Sequence, residues 1–371
     1  MIGTARDRDC DVGHQAAHRP LPVLHTRFTI PSHRRSQLGP DTFREGTLRT
    51  PGISSIMVPL DGSAEAVRAV ALASRMAALR RARLHLVGVF RPVSPAGNGM
   101  SAVPAPNQFF RDDLRSHLES VAHDVSVFHR MRPEPVLLEG SGSVSAQLHE
   151  YADLHAVDLA VMRTHGRTGV GRILLGSVAD GLINGGVPSL LLRDHDTRGV
   201  TLESELPGLF RRILVPLDGN ADARAAIDLA LTVATPGLSE IRLVLVMGAG
   251  ELPHSGAPAA VRLAARYSTL EQYLADEAAR IEAHGVRSRG FTVVERSAAL
   301  GILACVEAQH IDLVVIASHQ RSETSRLFLG SVMDELIGTS EVPVLAVRES
   351  GTKAHPRWEE TERRGAVGGR R

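Results

Sequence analysis

At 371 residues the chain is long enough for two domains of ordinary size, each with its own core. Its 42 basic and 41 acidic residues give a net charge of +1, which provides no global field to attract nucleic acid or an anionic membrane. Lys353, near the C-terminus, is the single lysine. A Walker A loop, a Schiff-base lysine and a kinase-type strand lysine are therefore excluded from the fold.

The cysteines and the apolar runs narrow the class of protein further. Cys10 lies in a polar region and Cys305 in an apolar helix, so the sequence predicts no disulfide framework and no cysteine-based zinc site. The uninterrupted apolar runs are much shorter than a membrane-spanning helix, and the first 30 residues lack the apolar core of a signal peptide. These features predict a cytoplasmic protein.

The first set of predicted elements follows a polar leader. Residues 1–51 mix His, Arg and Pro without a period of 2 or 3.6, which predicts a disordered segment. An apolar strand, Ile56–Leu60, then ends at Asp61 and Gly62, and Ser63 is predicted to cap a helix. The other predicted elements are strands at Leu84–Phe90, Pro135–Glu139, Val157–Met162 and Val187–Arg193, and helices at Asn107–His129, Val144–His155 and Ser177–Asn184. This alternation predicts right-handed βαβ units around a parallel sheet.

Between the first helix and the second strand, three arginines form a short basic run. We expect Arg80, Arg81 and Arg83 to lie in a solvated turn.

The same order of elements then returns in the second half of the chain. The segment FRRILVPLDGN matches SSIMVPLDGS, and LGSVMDELI matches LGSVADGLI. The offset between matched positions is nearly constant, 157 residues from Asp61 to Asp218 and 154 residues from Gly176 to Gly330. A near-constant offset over whole domains indicates a tandem duplication.

One glycine-rich stretch indicates chemistry. Residues 162–180 read MRTHGRTGVGRILLGSVAD, which predicts a strand end, a loop and a helix N-terminus. Unpaired backbone N–H groups and the helix dipole make such a terminus suitable for a phosphate, although many loops are glycine-rich only in order to turn. Asp61 is predicted to face this loop across the crevice where the strand order reverses, and its carboxylate suits ribose hydroxyls. The alternative is that Asp61 serves only the cap at Ser63.

These motifs resemble the universal stress protein family. The resemblance rests on VPLDGS, then THG, nine residues and GSV, then VPSLLLR, and it covers residues 53–194 and 210–349. It implies two tandem Rossmann-like α/β domains, each a five-stranded parallel sheet in the order 3-2-1-4-5 with helices on both faces. Residues 195–209 are then a linker, and residues 350–371 a disordered tail.

The resemblance also implies a nucleotide site in the first repeat. The ATP-binding subgroup of the family has the pattern Gly, two residues, Gly, nine residues, Gly, then Ser or Thr; here Arg163 stands at the first glycine. The residues implied in nucleotide binding are Pro59, Leu60, Asp61, Val89, Met162, Arg163, Gly166, Gly176, Ser177 and Val178. The implied ligand is ATP, and a Mg²⁺ ion beside its phosphates is allowed. The Arg163 side chain could crowd the ribose or donate to a phosphate.

In the second repeat the pattern is degraded. Ala317 and Gln320 replace the first two glycines, and only Gly330 and Ser331 remain. We therefore expect the second half to bind ATP weakly or not at all and to be mainly structural.

Three functions compete on this sequence. The first is a nucleotide-binding sensor or regulator in stress response. The second is a scaffold of the same fold that binds no nucleotide, and the third is an enzyme acting on the bound nucleotide. His165 and His319 occupy matching positions, but no acid/base constellation accompanies them, so we expect no enzyme, with weak ATP hydrolysis left open.

The expected partners follow from the same analysis. The resemblance implies that the repeats pair as an intrachain pseudo-dimer through their last strands, at SLLLR from Ser189 and VLAVR from Val344. Homo-oligomers are allowed, and neither nucleic acid nor a membrane is an expected partner.

Overall fold

The computed structural model describes residues 52–92, 105–163, 176–193, 210–218, 224–248, 257–319 and 331–349. The predicted leader, linker and tail lie outside these ranges. The strands are β1 (Ser55–Leu60), β2 (Arg83–Phe90), β3 (Glu134–Glu139), β4 (Leu159–Arg163), β5 (Ser189–Leu192), β6 (Arg212–Leu217), β7 (Glu240–Gly248), β8 (Arg287–Glu295), β9 (Leu313–His319) and β10 (Val344–Glu349). The helices are α1 (Ala64–Arg80), α2 (Ala105–His129), α3 (Val144–Leu154), α4 (Ser177–Asn184), α5 (Arg224–Val233), α6 (Ala257–Glu282), α7 (Ala298–Ala308) and α8 (Ser331–Thr339).

The strands form one ten-stranded sheet in the order β3-β2-β1-β4-β5-β10-β9-β6-β7-β8. Each half therefore has the order 3-2-1-4-5, and pairing within each half is parallel. The predicted fold class is confirmed. The predicted bounds of the first-half strands differ from the observed ones by at most two residues, as expected at element ends.

The alternation of side chains along the strands produces two cores, one on each face of the sheet. Leu159 and Val161 of β4 belong to the cluster that contains α1 and α2 residues, whereas Ala160 and Met162 belong to the cluster that contains α3 and α4 residues. Each cluster also contains residues of the second half, with α5 and α6 on the first face and α7 and α8 on the second. Both cores thus run across both repeats.

Serine caps begin three of the helices. The hydroxyls of Ser63, Ser143 and Ser297 accept from the backbone N–H three residues later, at 3.1, 3.1 and 3.2 Å. The predicted cap at Ser63 is confirmed. Each bond satisfies one of the N–H groups that a helix start leaves unpaired.

A repeated carboxylate holds the beginning of the first strand in each half. Asp158 Oδ2 accepts from the backbone N–H groups of Ser54 and Ser55 at 2.7 and 3.0 Å. Asp312 Oδ2 accepts in the same way from Arg211 and Arg212, at 2.9 and 2.8 Å. A charged acceptor strengthens the hydrogen bonds from both backbone donors. Both repeats therefore keep the same contact between the residue before the fourth strand and the start of the first strand.

The two halves meet where β5 pairs with β10. The pairing is antiparallel and joins Leu191 to Val344, Leu190 to Leu345 and Ser189 to Ala346. Leu190 and Leu345 are fully buried in the same core cluster. The sheet is therefore continuous from one repeat into the other.

Arginines extend this seam on both sides of the sheet. Arg80 donates to the Ala234 carbonyl (2.6 Å), Arg193 donates to the Ser340 carbonyl (3.0 Å), and Arg348 donates to the Asn184 side-chain oxygen. Arg193 follows β5 and Arg348 lies near the end of β10, and each reaches the end of the last helix of the other half. The two contacts are therefore reciprocal. Each is favourable because a helix C-terminus attracts a cation. The expectation that Arg80 lies in a solvated turn is wrong, because its side chain spans the two halves.

Substituting Arg193 with methionine is expected to weaken this seam. The change keeps the aliphatic stem and removes the charged donor to Ser340, which should lower the free energy of unfolding by about 1 kcal/mol. Urea denaturation followed by circular dichroism measures this, and one transition should remain because the cores are shared. The control is Arg132→Met, which changes an exposed arginine and should leave the midpoint within error. Equal midpoints for both variants would show that the Arg193 contact adds nothing.

Candidate functional site

The candidate site lies at the carboxyl edge of the first half of the sheet. β1 and β4 are direct neighbours, with Ile56 paired to Leu159 and Met57 to Ala160. Both strands run in the same direction, so β1 ends at Leu60 beside the end of β4. The structure thus places Asp61 and Arg163, the last residue of β4, on the same edge, at the point where the strand order reverses.

The N-terminus of α4 presents backbone without a side-chain cap. Gly176 is the N-cap residue, with φ −62° and ψ 145°, and no side chain of the described residues caps the helix there. A Cβ added at Gly176 would meet none of the described atoms within 4 Å, and Ser177 beside it is exposed. The first N–H groups of α4 are therefore reachable from solvent, as an anion site requires.

Asp180 lies in the first turn of the same helix. Burial raises the pKa of its carboxyl, and the Asn184 amide, which donates to Asp180 Oδ1 at 3.0 Å, opposes that rise. Arg348, from the second half, also lowers the pKa. The α4 helix is thus tied electrostatically to the opposite repeat.

Asp61 is exposed at the end of β1 and makes a local turn contact. Its Oδ1 accepts from the Ser63 backbone N–H at 3.0 Å. Gly62 follows with φ 84°, a left-handed conformation that suits glycine. This contact supports the alternative in which Asp61 shapes the turn before α1.

The implied site residues divide between the two faces of the sheet. Met162 belongs to the core on the α3 and α4 face, and Val89 and Val178 pack against it. Alternation along β1 directs Pro59 to the same face. Leu60 belongs to the opposite core, on the α1 and α2 face. Pro59, Val89 and Val178 are half-buried, whereas Met162 and Leu60 are buried.

Arg163 also points to the α1 face. Its Nη1 donates to the Glu65 carbonyl at 3.3 Å and lies 3.7 Å from the Glu65 carboxylate, and the Arg163 side chain is 2% exposed. Burial lowers the pKa of the guanidinium, while Glu65 opposes this and Arg68 adds to it. Because Glu65 lies in the first turn of α1, the arginine is directed away from the face shared by Val89 and Met162.

Several predicted residues fall outside the described part of the chain. Residues 164–175, which include His165 and Gly166, are among them, as are Gln320 and Gly330 of the second half. In the second half the described counterparts are Asp218 and Ser331, both exposed, and Val246, which is half-buried. A Cβ added at Gly301 would lie 2.6 Å from a Val246 methyl, so α7 packs closely on that position.

A polar cluster that no sequence pattern indicated lies at the opposite, amino edge. His85 in β2 is fully buried, with Nε2 3.1 Å from Ser55 Oγ and Nδ1 2.9 Å from the Tyr151 hydroxyl. The Glu134 carboxylate lies 3.3 Å from the same Nδ1, and the Tyr151 ring stacks on His155 at 4.1 Å between centroids. The order serine, histidine, carboxylate resembles a catalytic triad, but Ser55 and His85 are both 0% exposed, so no substrate can reach the hydroxyl.

The described ranges give no sign of a reactive cysteine, a metal centre or a membrane-spanning helix. Cys305 is buried, and burial raises the pKa of its thiol to about 12, so this thiol is a poor nucleophile at neutral pH. Among the described residues, no group of three or more His, Cys, Asp or Glu could hold a metal ion. None of the helices in that part of the chain is long and apolar enough to cross a membrane.

Comparison with known proteins places the two halves in one family. The model of the universal stress protein family matches residues 52–186 and 209–348. A universal stress protein from Mycolicibacterium smegmatis is 27% identical over 308 residues, which cover 79% of this chain and 96% of that protein.

Two solved structures share the tandem fold. A universal stress protein from Archaeoglobus fulgidus is 17% identical, covers 80% of this chain and 98% of its own, and has a TM-score of 0.58. A functionally unknown protein from Pseudomonas aeruginosa is 14% identical, covers 84% of this chain and 98% of its own, and has a TM-score of 0.51. At these identities the similarity concerns the fold.

Proposed function

The chain belongs to the universal stress protein family, with one match in each half, and we propose that its first half binds an adenine nucleotide, with ATP as the first candidate. The proposed site residues are those implied by the sequence: Pro59, Leu60, Asp61, Val89, Met162, Arg163, Gly166, Gly176, Ser177 and Val178. The phosphates lie at the α4 N-terminus, and the ribose lies towards Asp61. A Mg²⁺ ion, if bound, accompanies the phosphates.

The observation that carries this proposal is the uncapped start of α4. Gly176 has no side chain, its neighbour Ser177 is exposed, and α4 starts on the carboxyl side of the sheet because it connects the parallel strands β4 and β5. Backbone donors and the helix dipole together favour a phosphate. The half-buried Pro59 and Val89 supply apolar surface on the same face of the sheet for the base.

The second half is proposed to be degenerate and structural. Gln320 replaces a glycine of the family pattern, and a residue with a side chain disfavours the close backbone approach that glycine allows. The pairing of β5 with β10 supports an intrachain pseudo-dimer in which the second half supports the first. Nucleotide occupancy in the first half then regulates stress-related partners, in the manner of a sensor in the cytoplasm.

A scaffold function of the same fold is the second candidate. Its support is Arg163, which stands where the nucleotide-binding pattern has glycine and is compensated by Glu65 without any ligand. A protein that uses both halves only as an interaction surface has no need for an open site at this strand end.

One experiment separates these functions. Protein purified without added nucleotide is extracted with acid, the extract is analysed for adenine nucleotides, and melting is measured with and without Mg·ATP. A binder at 100 times its dissociation constant gains about 2.7 kcal/mol, which appears as a higher melting temperature. No released nucleotide together with no shift overturns the proposal in favour of the scaffold. Steady phosphate release in the same samples would instead indicate an enzyme.

A further inference from the structure

The sheet has two outer strands, β3 and β8, and they differ in how they are protected. In the described residues no strand lies beyond either of them. An outer strand presents backbone N–H and C=O groups along one side, which can pair with another strand. Proteins usually guard such edges with proline, charges or short length.

β3 carries these protections. It has six residues, Pro135 removes a backbone donor, and Glu134 and Glu139 stand at its two ends. If two copies of β3 paired antiparallel over their full length, each Glu134 would face a Glu139. Like charges directly opposite one another are destabilising, so the pairing of β3 with a second β3 is unfavourable.

β8 is less protected, because its charged residues, Arg287, Arg289 and Glu295, are of both signs. It has nine residues, reads RSRGFTVVE and contains no proline. The β-branched and aromatic residues from Phe291 to Val294 remain half-exposed although they lie within the strand. Residues of this kind favour strand pairing.

The charges of β8 are complementary to those of a second β8. Antiparallel pairing centred on Phe291 places Arg287 opposite Glu295 at both ends and Phe291 opposite its own copy. Arg287 and Glu295 are eight residues apart, so their side chains lie on one face together with Phe291. Opposite charges and aromatic pairs are the cross-strand contacts that stabilise an antiparallel pair.

A neighbouring ion pair favours this register over a shifted one. Arg289 forms an ion pair with Glu240 of β7 within the same chain. A register that set Arg289 against Glu295 would compete with that pair and would shorten the paired segment. The register centred on Phe291 leaves the Arg289–Glu240 pair intact and uses all nine residues.

We infer that β8 is the docking edge for a second copy of this chain, which joins antiparallel through β8 to give a two-fold symmetric dimer. The two sheets become one, and the symmetry closes the assembly because each copy has one β8 edge. The inference is independent of nucleotide binding, since β8 belongs to the second half and lies at the far end of the sheet from β3.

A charge swap tests both the interface and its register. Wild-type full-length protein should show the mass of two 39.8 kDa chains by size-exclusion chromatography with light scattering in the micromolar range. Arg287→Glu and Glu295→Arg each create two like-charge pairs by symmetry, and each should raise the dimer dissociation constant about tenfold or more. The double variant restores opposite charges and should return to within about threefold of the wild type. Raising the salt concentration should reduce all these differences.

The controls separate association from folding. Each variant is first checked by circular dichroism and melting, since both positions lie at the ends of a strand. Arg132→Glu, at an exposed position outside the β8 edge, should leave the dissociation constant unchanged. A single-chain mass for the wild type, or a double variant no tighter than the single ones, overturns the inference.

Discussion

Replacing Gly176 with aspartate is expected to abolish the rise in melting temperature that ATP produces. Gly176 is the N-cap of α4, and a Cβ there meets none of the described atoms within 4 Å, so these residues leave room for the new side chain. Aspartate is a preferred N-cap residue, and the ligand-free protein should melt at the same temperature or slightly higher. Its carboxylate, however, would occupy the anion position at the α4 N-terminus and repel the phosphates. Differential scanning fluorimetry over a range of Mg·ATP concentrations measures both effects.

Two matched substitutions make this result specific. Gly176→Ala adds a methyl group in open space without charge and should retain most of the shift. Gly330→Asp places the same carboxylate at the matching position of the second half and should leave the shift nearly intact. If Gly330→Asp removed the shift as completely as Gly176→Asp, the assignment of nucleotide binding to the first half would be wrong.

Acidification is expected to destabilise the protein through His85. Burial lowers the pKa of this imidazole; Glu134 opposes the shift, and Arg83 and His155 add to it. Tyr151, whose pKa burial raises to about 12, stays a neutral partner across this range. The folded state therefore favours neutral His85, which bonds with Tyr151 and Ser55 inside the core.

The sign of the pH dependence follows from this lowered pKa. In the unfolded chain a histidine takes up its proton near pH 6.5, before the folded protein does. The stabilisation from neutral His85 is complete above that pH and is lost as the pH falls towards the lower folded pKa. The slope is at most about 1.4 kcal/mol per pH unit for one proton. Burial also lowers the pKa of His129, which adds to the loss in the same direction.

Urea denaturation between pH 5 and pH 8 tests the role of His85. His85→Gln retains hydrogen-bonding groups but does not titrate, so it should flatten the pH dependence below about pH 6.5. It should also lower the free energy of unfolding at neutral pH by about 1–3 kcal/mol, because Ser55 and Tyr151 lose well-placed partners. His123→Gln, at an exposed position on α2, should change neither quantity. An unchanged slope in His85→Gln would assign the acid sensitivity to other groups.

At the candidate site, the local sequence pattern predicted the start of a helix but not the contacts of Arg163. The glycine and serine at residues 176 and 177 predicted a helix start, and α4 begins at Ser177. The same pattern placed Arg163 at the site but left open where its side chain goes. Its partner, Glu65, is 98 residues away in sequence, and only the packing of α1 on β4 brings the two together.

The polar cluster around His85 and the open edge at β8 could not be predicted from the sequence. Ser55, His85 and Glu134 come from three different strands, and none of them stands in a spacing that indicates a shared function. The RSRGFTVVE segment was not distinguished by any motif, and its position at the outer end of the sheet depends on how all ten strands are ordered.

The sequence by itself determined the duplication, the alternation of strands and helices, the family and the strand order that the family implies. The duplication and the alternation are encoded in short-range periodicity and repeated motifs, whereas the family rests on the resemblance of those motifs and the strand order is what that resemblance implies. Only the tertiary structure decided which buried charges compensate one another and which strand edges stay open. It also showed the reciprocal arginines at the seam, where Arg348 and Asn184 lie 164 residues apart. Such contacts depend on the packing of distant segments, and packing depends on the whole chain at once.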